Sequence, residues 1–426
     1  MALISLLLVL VNLMTLPGVS FDIDKVGEEL LEQTKIEQSI GNIEETLNTK
    51  DKFSSAYVNE VISNCKDTEE NYVVSPMSMK YAMCLLALGA DGDTKAELMD
   101  ALGYKTDDEI IAWCSGNQEY AKEIQEGFIN SKMNIANSIW FNSDNPGGFS
   151  ETYKGLVESK LNGVSKEVKS DTLAKEVNAW ADEETNGLIK NLLDESIDYS
   201  DITALLANAL YVKNSWAEQF KEYNTKEKDF KTLSGEVVKK DYLINYNYKN
   251  SAYFKDDKSE AVMLPMDNGM CTVFVKGDIS NMQKIFDEFI YQGSKTEIEV
   301  EIPKMEIDSP SNFNNTNALK RMGINKVFSR ENVNLEKMFT GTRGFVNEVG
   351  QKAKFILDEK GIEAAAVTYA MVKTCSIAIE EPVKKHYVFK GNEPMYVFMY
   401  KMDTDSMNGK DINLYGDLMF FCRYCK

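Results

Sequence analysis

A chain of 426 residues with 43% hydrophobic content can bury a large core, and its length alone would allow two or three domains. With only eight prolines, no Gly/Ser-rich linker and no long block of one charge, composition nowhere shifts as it would between independent domains, so residues 51–426 read as one domain. The net charge of -20, with bases interleaved among spread-out acids, excludes a phosphate-binding surface and hence a nucleic-acid partner, and the lack of repeats or low-complexity tracts excludes a solenoid or a disordered chain.

In chain order, residues 3–16 are an apolar run followed by small residues at Gly18 and Ser20, the pattern of a signal peptide over residues 1–20, although no positive charge precedes it. About 14 apolar residues fall short of the roughly 20 that span a bilayer, so secretion to the extracellular space is expected and a membrane anchor is not. Residues 21–50 are charged and helix-prone and read as an N-terminal helical extension. Phe53, Tyr57, Val58, Val61 and Ile62 then recur at helical spacing as one buried stripe. The next helix is better marked. Ser75 caps it, Pro76 suits its first position, Met77, Tyr81, Cys84, Leu85 and Leu88 line it, and Gly89 ends it. Val177, Trp180 and Ala181 line a further helix that stops near Asn186-Gly187, a pair suited to a left-handed C-terminal cap.

The strands are of two kinds. Residues 204–212 and 395–400 are almost wholly apolar, and the first of these reads as a strand covered on both faces. Residues 297–302 alternate strictly, which puts Ile298, Val300 and Ile302 on a core face and Glu297, Glu299 and Glu301 in solvent. Helices first and strands in the C-terminal half, with few βαβ alternations, predict an α+β domain on large, mostly antiparallel sheets. Asn314-Asn315-Thr316 is the one glycosylation sequon, usable only in a eukaryotic host.

Seven cysteines are an odd number and, apart from Cys422 and Cys425, lie far apart, so they do not read as a disulfide framework and at least one thiol stays unpaired. A single histidine, His386, and one terminal C-x-x-C make a metal site improbable. That histidine sits in a Lys-rich stretch with no G-x-S-x-G elbow to serve, and phosphate-binding, H-E-x-x-H and EF-hand motifs are missing. Neither an enzyme nor a cofactor is expected.

Val74-Ser75-Pro76-Met77-Ser78 with Leu85-Leu86-Ala87-Leu88-Gly89-Ala90, then Ala207-Asn208-Ala209-Leu210-Tyr211-Val212-Lys213 with Trp216, Phe220, Thr225, Phe230 and Gly235, then Pro303-Lys304-Met305, Leu319 to Ile324 and Val346 to Ala353, follow one another in an order that resembles the serpin family over residues 53–420. The resemblance implies three β-sheets, about eight to nine helices and an exposed reactive-centre loop. It also implies a monomeric secreted protease inhibitor, with a target protease as covalent partner. Glu359, Gly361, Ile362, Glu363, Ala364, Ala365, Ala366, Val367 and Thr368 are similar to the family's hinge, where the loop meets the sheet.

The hinge also has a pattern of its own. From Ile362 onward, alternate residues Ile362, Ala364, Ala366, Thr368, Ala370, Val372 and Thr374 are small or apolar and uncharged, a face that a strand can bury while Glu363, Tyr369 and Lys373 stay toward solvent. Taken alone, this pattern fits a permanently paired strand equally well; in a serpin-like chain it implies a loop that converts to strand after cleavage. Family spacing counted from Glu359 places the reactive bond at Cys375-Ser376, which suits an elastase-like or chymotrypsin-like serine protease or a cysteine protease. Lys373 is the rival and would suit a trypsin-like target.

By position, Ser75, Ser78, Asn208 and Gln351 match the cluster that controls opening of the family's central sheet, with Gln351 where histidine is frequent. Trp216, Lys304 and Glu359 match the point where the loop first enters, and Lys304 and Glu359 should pair there. Ile362 departs from the threonine or serine of inhibitory members, which implies slower insertion, and the stretch between the loop and Pro394 is longer than usual. A non-inhibitory carrier, chaperone or storage serpin is the alternative.

Overall fold

The computed structural model describes residues 51–426 apart from 67, 128–130, 281, 293–295, 311–312, 343, 347–348, 363–385 and 403–415. The expected signal peptide and N-terminal extension therefore lie outside the described residues. Eight α-helices fall within them. α1 (Lys52–Cys65) starts on Asp51, whose Oδ1 accepts the Phe53 amide at 3.1 Å, and it buries Phe53, Tyr57, Val58 and Val61. α2 (Pro76–Gly89) starts on Ser75, whose hydroxyl accepts the Ser78 amide at 3.2 Å. α3 (Gly92–Leu102), α4 (Asp107–Gly127) and α5 (Glu151–Lys160) follow. α6 (Ser170–Glu184) buries Val177, Trp180 and Ala181 and is closed by Asn186 and Gly187, both left-handed at φ 54° and 85°. α7 (Met282–Gln292) and α8 (Asn315–Arg321) complete the set.

The strands form three sheets among the described residues. The central one contains β1 (Lys132–Asn142), β2 (Gly163–Val168), β3 (Ala204–Ser215), β4 (Met305–Asp308), β5 (Lys354–Leu357) and β6 (Gly361–Ile362) in the order β4-β5-β6-β3-β1-β2, with only β1 and β2 parallel. In the nine-stranded sheet, the long strand Val237–Lys255 pairs with Lys226–Lys231 and Thr296–Pro303, and near its end with Ser259–Pro265. Gly148–Phe149 and Phe339–Thr340 make the third. α2 packs between the two large sheets, touching both β3 and the strand Gly416–Tyr424.

One strand expectation needs correction. Glu301 is not in solvent: it is 6% exposed, and Lys228 covers it with an ion pair of 2.6 Å. Its partner comes from another strand of the same sheet, so the alternation could not reveal it. β3 is covered on both faces as expected: α2 and α6 both touch it, with Leu206 and Leu210 packed, half-buried, against the main core and Ala207 and Ala209 buried with Val177, Trp180 and Ala181 of α6. The six described cysteines, Cys65, Cys84, Cys114, Cys271, Cys422 and Cys425, are buried.

The gap in the central sheet as candidate functional site

β3 is 12 residues long and pairs with β1 from Ala204 to Lys213. On its other side it pairs only at Ser215 with Gly361 and at Asn214 with Ile362. β5, in turn, meets β6 only where Leu357 pairs with Ile362. Below this two-residue bridge, no described strand lies between β3 and β5. Asn208 and Leu210 of β3 line the opening on one side, Lys352 and Lys354 on the other, and Ser75 and Thr185 close it.

Beneath the opening, Gln351 and the Ser75 main chain are joined. Gln351 Nε2 donates to the Ser75 carbonyl at 2.8 Å, and the Ser75 amide donates to Gln351 Oε1 at 3.0 Å. The Ser75 hydroxyl donates to the Met419 carbonyl at 2.8 Å while capping Ser78. A member of this group that sequence reasoning assigned only to the core is Tyr57, whose hydroxyl donates to Asn315 Oδ1 at 2.6 Å and lies 3.4 Å from Gln351 Oε1. Burial drives its phenol well above the ordinary range, so it remains a donor. The signal was available, because a buried tyrosine hydroxyl requires a partner.

Asn208 lies on the same opening but bonds elsewhere. Its amide donates across the ladder to Asn137 Oδ1 at 2.9 Å and to the Ala136 carbonyl at 3.2 Å, and it makes no hydrogen bond to Ser75 or Ser78. Asn137 was not legible as its partner, since that requires the register of β1 on β3.

At the upper end, Asp358 turns the chain from β5 into β6, its Oδ1 accepting the Lys360 and Gly361 amides at 2.8 and 3.2 Å. Trp216 holds this turn from below: its indole donates to the Asp358 carbonyl at 2.9 Å and its amide to the Lys360 carbonyl at 3.1 Å. Glu359 is 7% exposed and pairs with Lys304 at 2.7 Å, with the Thr225 hydroxyl adding a bond of 2.6 Å. Burial alone would raise the Glu359 carboxyl, but these two donors outweigh it and hold the group below the ordinary carboxylate value. Gly361 fits because a Cβ there would come within 2.0 Å of the Asn214 carbonyl oxygen. Ile362 is 3% exposed, so the first hinge residue of the alternating face is already in the sheet. Glu363 to Thr368, Lys373 and the Cys375-Ser376 bond lie outside the described residues.

A family model described as Serpin (serine protease inhibitor) matches residues 48–409. The chain belongs to the serpin family. Similar serpins include antitrypsin of Bombyx mori, 26% identical over 389 residues that cover 86% of this chain and 93% of that protein. Serpin-Z10 of Arabidopsis thaliana is 30% identical over 331 residues, covering 72% and 83%. Among solved structures, the native stressed conformation of the Arabidopsis protein AtSerpin1 superposes with a TM-score of 0.69 at 22% identity, covering 87% of this chain and 95% of that one. Human thyroxine-binding globulin superposes with a TM-score of 0.68 at 17% identity, covering 87% and 97%. These two likenesses are of fold: they place the serpin architecture, with its α+β layers and three sheets, on this chain. Among the described residues of this serpin, no helix is long and apolar enough to cross a membrane, and no group of His, Cys, Asp and Glu could hold a metal ion.

Proposed function

We propose that the protein is a secreted, monomeric protease inhibitor that acts as a suicide substrate. The nucleophile of a target protease attacks the Cys375 carbonyl, the Ser376 amine leaves, and the protease stays attached as an acyl-enzyme. The segment from Ile362 to Thr374 then enters the gap between β3 and β5 and carries the protease with it. The observation that supports this most is the shape of the gap, bridged at one end by two residues of the very segment that must fill it. Adding a strand of about ten residues makes on the order of ten ladder hydrogen bonds at roughly 1 kcal/mol net each, so insertion runs downhill. The small, uncharged alternate residues give that strand a face to bury.

Cys375 is small and mostly apolar, which favours an elastase-like or chymotrypsin-like serine protease; cleavage at Lys373 would point to a trypsin-like one. A carrier or storage role is the second reading, favoured by Ile362, whose bulk replaces the threonine or serine of inhibitory relatives at the first buried hinge position. Incubation with a panel of proteases separates the two. The inhibitory reading requires a denaturant-resistant complex, a released C-terminal peptide beginning at Ser376 and a large rise in the melting temperature of the cleaved protein. Cleavage with neither complex nor rise establishes the carrier reading instead.

A further inference from the structure

We infer that Asn314 carries an N-linked glycan, attached to its side-chain amide nitrogen before the chain folds. The inference rests on the secretion proposed above. Asn314 is exposed and stands immediately before α8 as its N-cap, with Oδ1 accepting the Asn317 amide at 2.8 Å. That bond engages the oxygen only, so a sugar on Nδ2 leaves the cap intact. The other two residues of the triplet face inward. Asn315 Oδ1 accepts the Tyr57 hydroxyl at 2.6 Å, and Thr316 Oγ1 accepts the Val349 amide at 2.9 Å. Both are under a tenth exposed.

This division fixes the order of events. The acceptor motif requires a hydroxyl at its third position, and in the folded chain that hydroxyl is buried and occupied. Transfer therefore occurs on the nascent chain, and the folded chain is refractory. In the step itself, the amide nitrogen attacks the anomeric carbon of an oligosaccharide carried on a lipid pyrophosphate. The new bond is C–N, the bond from the sugar to the pyrophosphate breaks, the lipid pyrophosphate leaves, and the amide gives up one proton.

The test uses the full chain expressed in a eukaryotic secretory host. Peptide-N-glycosidase treatment of the denatured secreted product should give one mobility shift and leave aspartate at position 314. Asn314→Asp should be secreted without a shift, because aspartate caps a helix as well as asparagine does and cannot accept the glycan. Folded, unglycosylated chain from a bacterial host should stay unmodified when given to microsomes, whereas translation of the same chain into microsomes should add the glycan. Secreted protein with an unmodified Asn314 overturns this inference alone. Retention in the cell without a glycan overturns it together with secretion, and modification of the folded chain overturns the proposed order.

Discussion

Gln351 and Ser75 exchange two hydrogen bonds, one in each direction, across 276 residues of chain. The amide side chain thereby completes both main-chain groups of the residue that caps α2. Gln351→Ala leaves those groups without these partners, at a cost of about 1–3 kcal/mol, readable as a lower urea midpoint at unchanged slope. Glutamine carries no charge, so the joint itself adds no pH dependence. Gln351→His should introduce one, with a melting temperature that varies between about pH 5 and 8.

Asn208→Ala should lower the unfolding temperature and promote polymers on mild heating. The change removes the donor to Asn137 Oδ1 and the Ala136 carbonyl, again at about 1–3 kcal/mol. The double variant with Asn137→Ala separates the roles. If the two side chains act on each other, their effects fall short of additive; unchanged melting without polymers would remove Asn208 from the opening control.

The Glu359 ion pair gives an acid-limb prediction. Because the folded carboxyl titrates below its ordinary value near 4.5, the unfolded chain binds more protons in that range. Glu359 then contributes stability above about pH 4.5, and the contribution is lost as pH falls through the lower folded value. Lys304 is 40% exposed, so solvent screens the pair and the effect is modest. Glu359→Gln should flatten the fall in stability below pH 4.5, as followed by urea titrations at several pH values.

Gly361→Ala should expel β6 from the sheet, since the added methyl would meet the Asn214 carbonyl oxygen. Releasing the turn frees the Trp216 indole from the Asp358 carbonyl. The expected readout is a red shift of tryptophan emission in the variant that is absent in a Trp216→Phe background.

What the sequence made legible was local or periodic. The Ser75 cap, Pro76 and the apolar face of α2 lie within one turn of each other, and Asn186-Gly187 marks its own helix end. Burial of Glu301, the Asn208–Asn137 bond and the second donor on Glu359, from Thr225, depend on sheet register between segments 70 to 135 residues apart. No window of sequence contains that register. Gly361 and Ile362 read as a hinge between loop and sheet; that they already pair in the sheet is decided by what β3 and β5 leave open.

That open edge of β3 bears on time rather than on equilibrium. If filling it is downhill, as proposed, the uncleaved molecule is held in a trap, and its durability is the waiting time before the sheet parts. Ser75, Gln351 and Asn208 then act as a brake, and a substitution there can shorten working life without altering how readily the chain refolds. Such a molecule should show an apparent melting temperature that climbs with heating rate, and its stored activity should decay by a clock that no equilibrium titration reads.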